Sequence, residues 1–201
     1  MQVIRLVIFS AVFLLSCEFG SAQKIYLELG PRSADVYKSF VHLSNPSDQD
    51  YHISGLSLTG AIDVRKRLSG FVTYYNCLRY YPPPNNRTPQ SNWLYSADVR
   101  SVGAGVRWNL IEKMNLHVAV STNYIYRWAD FSYRFGDNDL HNDYVYTEYR
   151  NDPGVSSSIS VRYFVLKNNR LNVNVTTGFN KYKRDLSHYV AYGIGLKVFD
   201  K

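Results

Sequence analysis

The stretch YVAYGIGLKVFDK, residues 189–201, alternates between two kinds of side chain. Tyr192, Ile194 and Leu196 are apolar, whereas Gly193 and Gly195 between them are small. Because successive side chains of a β-strand point to opposite faces, this period of two predicts a strand with one apolar face. Similar alternation recurs along most of the chain, so the fold class follows from what such strands can build together.

The N-terminus has the features of a secretory signal peptide. A short segment with one positive charge, Arg5, precedes an apolar run over residues 6–15, and small residues follow at 20–22. The run is too short to span a bilayer as a helix, so we expect cleavage after residue 22 and export of residues 23–201 as one domain. An alternative is lipidation of Cys17, because residues 14–17 read LLSC and resemble a lipoprotein box.

Composition narrows the function classes. With Cys17 removed, Cys77 is the remaining cysteine, so no intramolecular disulfide is expected. The net charge of +7 has no basic run or helix to group it, which argues against nucleic acid. The 18 tyrosines suit the interfaces of a membrane barrel, although tyrosine also favours strands in general.

The alternation predicts eight strands, which cover about residues 24–30, 53–65, 71–81, 93–110, 116–128, 155–165, 171–179 and 188–198. Long polar loops are expected at about 31–50, 82–90 and 132–153, with tight turns at 66–70, 112–115 and 167–170 and a modest link at 183–187. The pattern changes parity near Arg100, which predicts a bulge there or an extension above the membrane. Alternating short and long connections are typical of outer-membrane barrels, with both termini in the periplasm.

From this organisation the chain resembles the small eight-stranded outer-membrane barrels like OmpX or the membrane domain of OmpA, as found in Bacteroidota and Proteobacteria. The resemblance implies a closed all-β antiparallel up-and-down transmembrane barrel, integral to the bacterial outer membrane. It implies contact with outer-membrane lipid and lipopolysaccharide. It also implies recognition by the barrel assembly machinery through a C-terminal signal formed by Gly193, Leu196, Val198 and Phe199. Asp200 and Lys201 follow the terminal aromatic residue, which departs from the usual ending.

Inward positions of the predicted strands carry polar and charged side chains. We expect a lumen network formed by Glu28, Asp63, Arg65, Arg107, His117, Asn123, Arg127 and Arg162. An eight-stranded barrel is just wide enough for side chains to fill it, so these groups are expected to pair as a plug. A narrow gated pore is the alternative. No partner of His117 has metal-ligand spacing, and neither a metal nor a cofactor is expected.

Two loop motifs carry weaker functional hypotheses. His42, Ser44 and Asn45 look like the active-site motif of outer-membrane lipid A deacylases, in which histidine activates serine for acyl transfer. The string lies early in the chain and precedes Pro46, so a polar loop is the preferred interpretation. Acidic residues at 137–143 could bind calcium, but they lack the EF-hand pattern, and a solvated loop is preferred.

The sequence therefore predicts a non-enzymatic role. We expect an outer-membrane barrel that supports envelope integrity, contacts lipopolysaccharide or a protein partner through extracellular loops, or serves as an accessory subunit of an envelope complex. A narrow channel and a lipid-modifying enzyme remain as alternatives.

Overall fold

The computed structural model describes residues 24–38, 51–81, 93–136, 143–165, 170–183 and 185–200. These contain eight β-strands: β1 (Lys24–Lys38), β2 (Tyr51–Arg65), β3 (Leu68–Tyr81), β4 (Trp93–Lys113), β5 (Leu116–Gly136), β6 (Asp143–Phe164), β7 (Leu171–Tyr182) and β8 (Asp185–Asp200). Each strand pairs antiparallel with its neighbours in sequence, and β8 pairs with β1. The prediction of a closed eight-stranded antiparallel barrel is confirmed.

The stagger of the strands sets the shape of the barrel. A path along facing residues leaves Tyr26, crosses each strand once and returns to β1 at Val36, ten residues further along. With ordinary strand spacing and rise, this stagger tilts the strands by about 40° from the barrel axis. Side chains that are distant in sequence therefore meet at one height inside the barrel.

Burial alternates along the strands as predicted. Along β7 the buried residues Asn172 and Asn174 alternate with the exposed Val173 and Val175. In β8, Tyr192, Ile194, Leu196 and Val198 face outward while Lys197 is buried. The apolar parity lies outside the barrel and the polar parity inside, which is the reverse of a soluble barrel with an apolar core.

Several strands are longer than expected from the apolar pattern. β1 continues through residues 31–38, β5 and β6 take in most of the predicted loop at 132–153, and β8 begins at Asp185. The backbone ladder extends beyond the apolar residues because pairing needs only backbone groups. The two prolines in these extensions lie where one ladder is interrupted: Pro31 faces Leu56 but has no partner among the β1–β8 pairs, and Pro153 lies just beyond the β6–β7 pairs.

Of the two expectations for the parity change near Arg100, a bulge or an extension above the membrane, the bulge is not found. The pairing of β4 with β5 is continuous from Ser96 to Asn109, and the irregularities lie on either side of that range. The apparent change of parity has another cause, since Val99 points into an apolar cluster in the lumen while Asp98 and Arg100 form an exposed ion pair outside. Among the described residues no helix is long and apolar enough to cross a membrane.

Candidate functional site in the barrel lumen

We call the end of the barrel that carries Lys24 and Asp200 the terminal end. Near this end Arg107 of β4 reaches across the lumen to Glu28 of β1, and its Nη1 and Nη2 each donate to one carboxylate oxygen at 3.0 Å. Arg162 of β6 lies 3.7 Å from the same carboxylate and donates to the side-chain oxygen of Asn109 at 3.1 Å. These four residues form the Glu28 cluster, and two parallel hydrogen bonds make its central pair geometrically specific.

Aromatic side chains close the lumen around the Glu28 cluster. Tyr26, Ala61, Phe71 and Phe164 form a buried apolar group, and the guanidinium of Arg107 lies 5.3 Å from the centre of the Phe71 ring. These apolar neighbours lower the local dielectric constant on their side of the ion pairs, which strengthens the attraction between the charges and raises the cost of losing one partner.

A second cluster lies toward the opposite end of the barrel. Arg127 of β5 makes paired hydrogen bonds to Asp152 at 2.9 and 2.8 Å, and its Nη1 lies 2.9 Å from both carboxylate oxygens of Asp185. Arg150 donates to Asp185 at 3.2 Å, and the Arg127 guanidinium stacks 3.8 Å from the Tyr182 ring centre. Asp185 is 0% exposed, so this Arg127 cluster compensates a fully buried charge.

Between the two clusters the lumen is polar and narrow. A cavity of about 60 Å³ is lined largely by hydroxyl and amide side chains, among them Ser121, Asn123, Ser156 and Thr176. A smaller cavity of about 20 Å³ lies toward the Arg127 cluster. Arg32 of β1 borders both cavities.

The predicted lumen residues lie at several separate positions in the structure. Glu28, Arg107, Arg127 and Arg162 lie in the two clusters, and Asn123 lies in the wall of the larger cavity. Asp63 is half-buried and accepts a 2.6 Å hydrogen bond from Ser69. His117 is half-buried against Phe164, with ring centres 4.6 Å apart. Arg65 is an exception, because it follows a register irregularity at the end of β2 and is exposed rather than inside the lumen.

The sequence pattern missed four charged lumen residues. Arg32, Arg150, Asp152 and Asp185 all fall in predicted loops or connections, whereas each lies in a strand. The alternation of inward and outward positions identifies them when it is continued beyond the apolar residues. Asp185, for example, lies on the same face as Ser187 and Tyr189, which are also buried.

The loop motifs lie outside the described residues. His42, Ser44 and Asn45 fall in the undescribed range 39–50, and Asp137 and Asp139 fall in 137–142, while Asp143 begins β6. Within the described part of the chain no group of three histidine, cysteine or acidic residues could hold a metal ion.

Comparison with known proteins was made by sequence and by structure. No family model and no curated protein matches the chain. The structure is similar to the crystal structure of Neisserial surface protein A, with a TM-score of 0.60, 14% identity and coverage of 86% of this chain and 96% of that one. It is also similar to Ail, the attachment invasion locus protein of Yersinia pestis, with a TM-score of 0.54, 8% identity and coverage of 88% and 99%. Ail has also been crystallised in complex with the heparin analogue sucrose octasulfate. The chain therefore has the fold of the small eight-stranded outer-membrane β-barrels.

Proposed function

We propose that this chain is an integral outer-membrane protein whose barrel serves as a scaffold for an interaction surface at one end. The observation that carries the proposal is a continuous outward apolar band. Large apolar side chains are exposed on every strand, among them Leu29, Leu58, Tyr74, Val106, Tyr124, Ile159, Val175 and Ile194. An exposed apolar surface that encircles the protein suits a hydrocarbon environment and would promote aggregation in water.

Extraction and gel migration test the membrane location. A closed barrel leaves no ladder edge for denaturant to enter, so the unboiled protein should migrate faster than the boiled form. It should also stay in the membrane fraction after carbonate washing. Release into the soluble fraction with identical migration would contradict the proposal.

The terminal end of the barrel is proposed to face the periplasm. Two of its connections, after β2 and β4, are two-residue turns at 66–67 and 114–115, whereas the sequence between strands at the opposite end includes 39–50 and 82–92. Short periplasmic turns and longer extracellular loops are the usual arrangement in such barrels.

Cysteine labelling of intact cells tests this orientation. Met114 is 89% exposed in a turn at the terminal end, and Tyr149 is 71% exposed on β6 toward the opposite end, so each position can carry a reactive cysteine. A membrane-impermeant maleimide should label Tyr149→Cys and not Met114→Cys, while both should react after cell lysis. The native Cys77 is buried and serves as the background. The reverse labelling would invert the orientation.

The interaction surface is proposed to lie on the extended strands at the opposite end. β4 and β5 have 21 residues each and β6 has 22, roughly twice the 9–11 residues that cross a bilayer. Their outward side chains there include Asp98, Arg100 and Asp130, which are exposed. Lipopolysaccharide and an envelope protein are the two proposed contacts of this surface.

Shortening one hairpin tests the scaffold role. Tyr133 and Tyr146 face each other on β5 and β6, so replacing residues 134–145 with Asn-Gly should close the hairpin lower without changing the barrel. The variant should insert normally but lose partners that the wild type retains in mild detergent. Unchanged co-purification would place the interaction surface elsewhere.

The lumen is proposed to be plugged rather than open. The Glu28 and Arg127 clusters fill it at two heights, and the cavities between them hold about 60 and 20 Å³. Purified protein in planar bilayers should therefore show no stable ion conductance. Reproducible conductance steps would favour the channel alternative.

A further inference from the structure

Arg32 is a buried cation with no carboxylate partner among the residues that the structure describes. The residue is 8% exposed, and its guanidinium stacks 3.7 Å from the Tyr189 ring centre and lies 5.1 Å from that of Tyr75. Aromatic faces attract a guanidinium but do not neutralise it. A charge that is buried without compensation is strongly unfavourable, so we expect a negatively charged partner beside Arg32.

The numbers of acidic and basic side chains in the lumen also favour a negative partner for Arg32. Among the described residues the buried charged side chains comprise two acids, Glu28 and Asp185, and five bases, which are Arg32, Arg107, Arg127, Arg162 and Lys197. The half-buried Asp63 and Asp152 reduce this excess, while the half-buried Lys24 and Arg150 add to it. The described interior therefore has more bases than acids. Arg32 forms no ion pair with either buried acid, although Arg127 of the second cluster borders the same 20 Å³ cavity.

The 20 Å³ cavity beside Arg32 is bordered by buried polar atoms that lack partners. Arg32 Nε, the Tyr75 hydroxyl and Asn180 Oδ1 make no hydrogen bond of acceptable geometry to any described residue, and all three residues line this cavity. Native proteins satisfy nearly all buried polar groups, so a cluster of orphaned atoms around one cavity indicates a bound species. A volume of this size holds one particle of about the size of a water molecule.

We propose that this cavity is a binding site for a small monovalent inorganic anion such as chloride. Arg32 supplies the charge, and the hydroxyls of Tyr75 and Ser101, which also borders the cavity, can donate to the ion. Asn180 can donate as well, because its amide can be turned so that Nδ2 faces the cavity while Oδ1 accepts from Ser187, its present partner at 3.2 Å. Water would satisfy some of these atoms but would leave the guanidinium charge uncompensated, and polyatomic anions are too large.

Bromide, which replaces chloride and scatters anomalously, tests the site directly. Crystals of the purified barrel grown in sodium bromide should show an anomalous peak in contact with the Arg32 guanidinium. The peak should be absent in Arg32→Gln and retained in Arg65→Gln, which removes an equal charge from an exposed position. Water without anomalous signal, or a carboxylate of the chain at this position, would overturn the proposal.

Unfolding in detergent provides a second measurement. The urea midpoint of the wild type and of Arg65→Gln should rise as chloride replaces gluconate at constant ionic strength, because the ion binds only the folded state. The midpoint of Arg32→Gln should not respond. If that variant does not fold, Ser101→Val, which removes one donor and no charge, should show a reduced response. Equal responses in all folded variants would contradict the site, whatever the membrane tests show.

Discussion

The guanidinium of Arg107 and the carboxylate of Glu28, 79 residues apart in the chain, face each other across the lumen with two hydrogen bonds of 3.0 Å. They join β4 to β1, which are not neighbours in the sheet, so the pair ties opposite walls of the barrel together. Because both groups are buried, removing one member should destabilise the protein strongly, since it leaves the other charge without compensation.

A double-mutant cycle on Glu28 and Arg107 should show strong coupling. Glu28→Gln leaves two arginines without their acid and should reduce the free energy of unfolding by about 3–5 kcal/mol. Arg107→Gln should cost less, since Arg162 stays 3.7 Å from Glu28. Urea unfolding in lipid vesicles measures both. The double variant should lose less than the sum of the single variants, and strict additivity would show that the pair is not coupled.

Three substitutions in the Arg127 cluster should reduce the free energy of unfolding by different amounts, in a fixed order. Arg127→Leu removes the shared partner of two acids, Asp185→Asn removes the fully buried acid, and Asp152→Asn leaves Arg127 bound to Asp185. The loss of unfolding free energy should therefore decrease in that order, with about 3–5 kcal/mol for the first. Asp98→Asn is the control, because its ion pair with Arg100 is exposed and its removal should change little. A larger effect from Asp152→Asn than from Arg127→Leu would contradict the geometry.

Adjacent positions of β7 should tolerate polarity differently. Val175 points outward and is exposed, whereas Thr176 borders the larger lumen cavity. Val175→Arg should cost about 2–4 kcal/mol in a bilayer if it lies near the midplane. Thr176→Asn should have a small effect, because it keeps a polar side chain in a polar wall. Equal losses on refolding into vesicles would mean that the inside and outside faces are misassigned.

Two glycines on neighbouring strands should differ sharply on substitution by alanine. A Cβ at Gly30 would overlap the backbone oxygen of Tyr192 in β8, so the closing strands would have to separate. A Cβ at Gly60 would meet only Leu27 Cδ2 at 3.7 Å, an ordinary contact. Gly30→Ala should therefore lower the yield of folded, heat-modifiable barrel, and Gly60→Ala should leave it unchanged. Similar yields would argue against this close approach of β1 and β8.

The register of β8 should control assembly. Gly195 faces Glu28 on β1 and Asn172 on β7, so its deletion shifts the residues after it by one. Leu196 and Val198 would then face the lumen and Lys197 the outside. The deletion variant should be degraded or remain unassembled, whereas removal of Lys201 should be silent. Immunoblots of washed membranes measure this, and normal levels of the deletion variant would show that closure does not depend on this register. Whether the assembly signal formed by Gly193, Leu196, Val198 and Phe199 is recognised remains a separate prediction.

The number and type of strands could be predicted because their signal is local. Alternation with a period of two needs no knowledge of the rest of the chain, and it indicated all eight strands and the outward parity of residues such as Ile194. The extent of the strands could not be predicted in the same way. Residues 143–153 carry charged or amide side chains at positions of both parities, yet they pair because the neighbouring strand supplies backbone partners.

The partners within the lumen were decided by the tertiary structure. Parity places Glu28, Arg107 and Arg127 inside the barrel, but it does not give their heights along the axis. Heights depend on the ten-residue stagger and on closure of β8 against β1, both of which are long-range properties of the sheet. The sequence by itself thus determined a barrel with a polar interior, while closure decided that Arg107 meets Glu28, that Arg127 meets Asp185, and that Arg32 meets neither acid.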